Sequence, residues 1–167
     1  MEIFGLAGWS GSGKTTLITR ILPEITGRGL TVSTIKHAHH DFDPDQPGKD
    51  SYRHRIAGAS EVLITAAQRW ALIHELRGGD EPGVEELVGR MTPVDLLIIE
   101  GFKRDSHPKL EVHRPSLGKS LLSARDPHIV AVASDAALEG LGIPVLDLND
   151  APAIAGFIIG HVGLDGG

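Results

Sequence analysis

The sequence predicts an α/β fold with a mostly parallel sheet flanked by helices, and three observations carry that reading. Short β-branched apolar runs recur along the chain and alternate with helical patterns, the arrangement that βαβ units require. One of them, VDLLII at 94–99, is a continuous apolar run after Asp95, as a strand covered on both faces must be. The first run leads into a glycine-rich turn, GLAGWSGSGKTT at 5–16, followed at once by an amphipathic stretch.

Taken in order, residues 2–7 (EIFGLA) read as a strand that feeds the turn. A helix is expected from Lys14 to Arg28, with Leu17, Ile18, Ile21, Leu22 and Ile25 on one face. Pro23 predicts a kink or an early stop, and Gly27 and Gly29 mark the end. TVSTIK (31–36) is the second strand, and HAHHDFDPDQPGKDS (37–51), without hydrophobic periodicity, is a long loop. A short helix over 51–58 precedes SEVLITA (60–66) and RWALIHEL (69–76), two strands forming an inserted β-hairpin. An acidic helix, VEELVGRM, follows a break of glycines and proline. After VDLLII come KLEVHR (109–114), whose alternation suggests an edge strand, then HIVAVAS (128–134) and IPVLDL (143–148). A last helix is expected over 151–162. No repeat, low-complexity tract or linker interrupts the 167 residues, so a single domain is predicted.

Composition narrows the function. With 41% apolar and 23% charged residues the chain is globular, and its net charge of −6 argues against a nucleic-acid partner, which needs clustered basic charge. No cysteine is present, so disulfides, thiolate metal sites and a cysteine nucleophile are excluded. No apolar run approaches the roughly 20 residues that span a bilayer. MEIFGLAG lacks the basic start of a secretion signal. A soluble cytoplasmic protein without a membrane partner is expected.

Gly8-Trp9-Ser10-Gly11-Ser12-Gly13-Lys14-Thr15 satisfies G-x-x-x-x-G-K-[ST] at every specified position, between a strand and a helix as the pattern demands. Glycines let successive backbone N–H groups turn inward to phosphate oxygens, and the helix adds the positive end of its dipole. Lys14 supplies a point charge for the β and γ phosphates, and the Thr15 hydroxyl suits Mg²⁺. The dinucleotide pattern G-x-G-x-x-G fails, because Thr16 stands where its third glycine belongs. The fold expected is thus that of a P-loop NTPase.

Mg²⁺ needs a second acidic group at a strand end beside this loop. Asp95 and Glu100 compete, and five residues of strand separate them by roughly 16 Å. Ligand sites in open α/β sheets lie at the carboxyl ends of strands, which selects Glu100 and leaves Asp95 as a solvated strand start. Asp135, after HIVAVAS, is at another carboxyl end. It suits the N1–H and 2-amino donors of guanine, a pair adenine lacks, and it equally suits capping a short helix over DAALEGL. Lys36-His37-Ala38-His39-His40-Asp41 fits zinc, or an anion or second-substrate contact. Asp50 fits a Mg²⁺ outer shell, a water-positioning group or a helix N-cap. Arg53, Arg55 and Arg104 are conceivable arginine fingers. Trp9 and Trp70 are expected to pack, and Trp9 to cover part of a bound nucleotide.

GWSGSGKTTL, IKHAHHDFDPDQPGKDS, LLIIEGFK and VASD, in this order, resemble the molybdopterin-guanine dinucleotide biosynthesis protein B (MobB) family from residue 3 to about 150. The resemblance implies a P-loop GTPase related to dethiobiotin synthetase, homodimeric, with weak GTPase activity at most. It implies a partner, the nucleotidyltransferase MobA, which attaches GMP to molybdopterin. Ser10, Gly11, Ser12, Gly13, Lys14, Thr15 and Thr16 would cradle phosphates, Thr15 and Glu100 would serve Mg²⁺, and Asp135 would read the guanine of GTP. The rival expectation is a small-molecule kinase or ligase with its acceptor near His37–His40. A third is a binding module in which nucleotide only sets the dimer state.

Overall fold

The computed structural model describes residues 1–38, 42–103 and 105–165. In chain order the elements begin with β1 (Glu2–Ala7), α1 (Lys14–Thr26), β2 (Val32–Lys36), α2 (Asp50–Ile56), β3 (Glu61–Ala66), β4 (Arg69–His74) and α3 (Val84–Gly89). Then come β5 (Leu96–Glu100), β6 (Lys109–His113), β7 (Ile129–Ser134), β8 (Val145–Asp147) and α4 (Ala151–His161), with a 3-10 turn at Pro115–Leu117. They form two compact units, Met1–His37 with Met91–Gly167, and Ala38–Arg90.

The first unit is a six-stranded sheet in the order β2-β5-β1-β6-β7-β8, and every pairing is parallel. All six carboxyl ends therefore lie along one edge. The register sets Lys36 and Leu6 beside Glu100, Ala7 beside Glu111, and Ser134 between His113 and Asp147. α1 buries Leu17, Ile18, Ile21 and Ile25, and α4 buries Ile154, Ala155, Ile158 and Ile159. Both pack against alternate strand residues such as Phe4, Leu6, Ile98, Leu110 and Ala131. α1 and α4 also touch each other, so they share one face of the sheet. On the other face irregular chain lies against β1 and β6. A Cβ on Gly5 would lie 2.5 Å from His107 Nε2, and Glu111 accepts hydrogen bonds from the backbone N–H groups of Leu122 and Ser123. Helix α1 runs through Pro23 to Thr26, so the proline neither stops nor truncates it before its last buried residue, Ile25.

Two sequence expectations are overturned here. KLEVHR is not an edge strand: β6 lies between β1 and β7 with all five residues buried. Its polar residues enter the interior because each is met there. Lys109 Nζ donates to Asp126 Oδ2 at 2.9 Å and to the Asp105 carbonyl at 2.6 Å, while Glu111 takes the two loop N–H groups. No helix forms over DAALEGL either. β7 ends at Ser134, whose Oγ accepts from Ala136 N, and Gly140, Gly142 and Pro144 leave too short a run to nucleate a helix.

In the second unit β3 and β4 pair antiparallel across Ala67–Gln68, and α2 packs beside β3. Its centre is Arg55, held in a bidentate pair by Asp43 (3.0 and 2.7 Å) and further paired with Glu75 at 3.2 Å. Trp70 does not pack as expected: it is 64% exposed on the β3–β4 ribbon.

Candidate nucleotide-binding site

The glycine-rich turn leaves β1 at the centre of the carboxyl edge, against the end of β6. Gly8 is needed there for space: a Cβ would lie 2.5 Å from the Val112 carbonyl oxygen and 2.7 Å from Ser12 Oγ. Ser12 Oγ is fully buried and has no hydrogen-bond partner among the described residues. Lys14 opens α1 and folds back over the turn, donating to the Gly8 and Trp9 carbonyls at 2.9 and 3.0 Å. Burial holds its ammonium below the ordinary lysine range. Glu100 opposes that shift, and the neighbouring Lys103 and Lys36 add to it.

Glu100 is the last residue of β5 and only 8% exposed. The Thr15 hydroxyl donates to its Oε1 at 2.8 Å. Lys36 Nζ, at the end of β2, lies 3.7 Å from Oε2 and 3.4 Å from Thr15 Oγ1. The next residue in the chain must be glycine. Gly101 has φ +103°, and a Cβ there would fall 2.7 Å from His37 Cβ. A hydroxyl and a carboxylate in contact, both hard oxygen donors beside a phosphate-type loop, fit Mg²⁺. Asp95, at the far end of β5, instead accepts from Thr31 N and Oγ1 at 2.7 and 2.6 Å, joining the starts of β2 and β5. That carboxyl is drawn below its usual range by those two bonds.

A second concavity, about 340 Å³, opens at the ends of β7 and β8. Asp135, Ala137, Val145, Leu146, Asp147 and Asn149 line it, so its polar lining is rich in acceptors. Asp135 Oδ2 accepts from Arg114 at 2.5 Å, and the same guanidinium donates through Nε to the Ser12 carbonyl at 3.1 Å. Trp9 turns towards the segment after β6: its Nε1 donates to the Ser120 carbonyl, and Lys103 and Lys119 stand 5.2 and 5.8 Å from its ring centre.

The structure thus gathers Gly8, Ser12, Lys14, Thr15 and Glu100 in one place, and sets Asp135 at the same edge two strands from β1. Asp50 belongs to the other unit. Its side chain is 88% exposed in the first turn of α2, where Lys49 is the cap, and it lies 3.8 Å from Arg53. The N-cap reading of Asp50 therefore does not hold. Arg55 is excluded as a finger because its guanidinium is already committed to carboxylates of its own unit. His37 stacks on Phe102 with ring centres 4.6 Å apart, and its backbone N–H bonds the Glu100 carbonyl. The zinc reading joins His37 to His39, His40 and Asp41, and one finger candidate is Arg104; of these, His39, His40, Asp41 and Arg104 lie outside the described residues. Sequence reasoning missed Arg114 and the separate role of Lys36. The strand-end rule that picked out Glu100 applies equally to Lys36, but Arg114 had no signal while β6 was placed at an edge.

The sequence pattern of the family described as "Molybdopterin guanine dinucleotide synthesis protein B" matches residues 3–135. The chain belongs to this MobB family. It is 40% identical over 162 residues to the molybdopterin-guanine dinucleotide biosynthesis adapter protein of Escherichia coli K12, covering 95% of this chain and 92% of the relative. The adapter protein of Haemophilus influenzae is 39% identical, with 95% and 88% covered. Among solved structures, Bacillus subtilis MobB superposes with a TM-score of 0.78 at 26% identity, covering 97% of this chain and 98% of that one. A crystal structure of molybdopterin-guanine biosynthesis protein B gives 0.75 at 27%, covering 95% and 99%. The six-stranded parallel sheet is therefore a MobB fold.

Proposed function

We propose that this MobB-family protein binds GTP with Mg²⁺ and serves as an accessory protein in making molybdopterin guanine dinucleotide. Its partner is a MobA-type nucleotidyltransferase that joins GMP to molybdopterin, and its own hydrolysis of GTP is weak at most. Both units work in this reading as one nucleotide-binding domain of a cytoplasmic homodimer. The relatives' role as biosynthesis adapters supports the pathway. The exposed Leu63, Ile64, Trp70 and Leu72 on the hairpin support self-association.

The observation that carries the nucleotide reading is the Thr15–Glu100 contact beside the Lys14 loop, on the same sheet edge as Asp135. Lys14 and the loop amides would hold the β and γ phosphates, and Thr15 and Glu100 the metal, which when bound neutralises phosphate charge. Asp135 would accept from guanine N1–H and the 2-amino group.

Titrating GTP, ATP and XTP in Mg²⁺ tests this. The wild type should prefer GTP over ATP by at least about tenfold, since the two guanine donors that meet the Asp135 carboxylate have no counterpart on adenine. Asp135→Asn should turn the preference towards XTP, whose C2 carbonyl accepts from the new amide. Equal binding of GTP and ATP by the wild type refutes the base assignment. Synthesis by a MobA-type enzyme that is indifferent to added protein refutes the accessory role.

A further inference from the structure

Arg114 has no part in the phosphate, metal and base contacts assigned above, and its position is set by topology. β6 runs between β1 and β7, so its first residue past the carboxyl end emerges between the phosphate loop and the carboxylate just past the end of the neighbouring strand. There Arg114 spans both. Nε donates to the Ser12 carbonyl at 3.1 Å, a terminal nitrogen donates to Asp135 Oδ2 at 2.5 Å, and a Cβ on Gly13 would lie 3.6 Å from the guanidinium. The segment beyond is pinned, because Glu111, fully buried, takes the N–H groups of Leu122 and Ser123. That pinned segment also holds Trp9 of the phosphate loop through the Ser120 carbonyl.

We propose that Arg114 is a positioning residue that couples base recognition to the phosphate loop. The inference rests on the reading of Asp135 as the guanine acceptor. A guanidinium is planar and rigid, so one group that bonds both Ser12 and Asp135 fixes the distance between loop and carboxylate. Its donation to Oδ2 aims the Asp135 carboxylate, which can then accept from two guanine donors. Its bond to Ser12 holds the loop carbonyl outward, leaving neighbouring N–H groups for phosphate. A lysine ammonium cannot make the same two-ended contact with fixed geometry.

The test compares GTP, ATP and inorganic tripolyphosphate binding in Mg²⁺ for the wild type, Arg114→Gln and Arg114→Lys. Loss of a charge-assisted contact should lower tripolyphosphate affinity roughly tenfold in Arg114→Gln. The GTP-to-ATP ratio should collapse towards one in the same variant. In an Asp135→Asn background, Arg114→Gln should add no further change to that ratio. Arg114→Lys should recover tripolyphosphate binding but not the ratio, and it provides the measurement if the glutamine variant fails to fold. A phosphate-only role lowers all three ligands by one factor and keeps the ratio, and a base-only role leaves tripolyphosphate untouched. Either outcome overturns the coupling. A wild type without guanine preference is a separate failure, that of the Asp135 reading, and takes the coupling with it.

Discussion

Lys109 is a lysine with no exposed side-chain surface in the middle of a parallel sheet, and that makes one stability prediction sharp. Its ammonium is met by Asp126 Oδ2 at 2.9 Å and by one backbone carbonyl, Asp105 O, at 2.6 Å. Asp126→Asn keeps the volume and removes the charge, leaving a buried ammonium without a counter-ion. Breaking a buried pair in this way costs about 3–5 kcal/mol; because Asp126 keeps some exposure, about 3 kcal/mol is the working figure. With an m value of about 2 kcal/mol/M, the urea midpoint should fall by about 1.5 M, and Tm should drop by roughly 10 °C. Fluorescence of Trp9 in a Trp70→Phe background follows the unit that contains β6. The double variant Lys109→Met/Asp126→Asn should regain most of the loss, since it removes both charges and a buried methionine needs no counter-charge. A midpoint shift below about 0.4 M for Asp126→Asn alone would show that the pair does not hold β6 in the interior.

Two further outcomes depend on pH. Lys14 titrates below the ordinary lysine value of 10.5 because it is buried, and a triphosphate binds its charged form. GTP affinity should therefore stay level through neutral pH and fall as pH rises through that lowered pKa. An affinity unchanged up to 10.5, or a Lys14→Met variant that still binds, contradicts the assignment. In the second unit the Arg55 hydrogen bond holds the Asp43 carboxyl below its ordinary 3.8. Its contribution to stability is complete above that value and disappears as pH falls through the lowered one. Acid unfolding followed by Trp70 in a Trp9→Phe background should show this slope, and Arg55→Met should flatten it. Equal slopes in the two proteins would refute the pair.

Much of the fold was legible because its signals are local. β5 is apolar along nearly its whole length, and Leu17, Ile18, Ile21 and Ile25 repeat at the helical period. The phosphate loop was legible for a related reason, as its glycines, Lys14 and Thr15 are neighbours in the chain. Glu100 needed one general rule about strand ends. β6 defied the same reasoning, since KLEVHR alternates as an edge strand would. Its charges are satisfied by Asp105, Asp126, Leu122 and Ser123, none of which a pattern within six residues can reveal.

From its order of residues alone the chain determined a parallel α/β sheet, a phosphate loop between β1 and α1, and its likeness to the MobB family. Periodicity and turn chemistry are short-range properties, read from neighbours in the chain. Tertiary structure alone decided that β6 is central, that Arg55 is occupied by Asp43 and Glu75, and that Arg114 lies between Ser12 and Asp135. Those outcomes depend on which strands become neighbours, and strand order is set by the burial of whole elements rather than by any local run. Placing β6 between β1 and β7 turned a residue with no motif of its own into the link across the site.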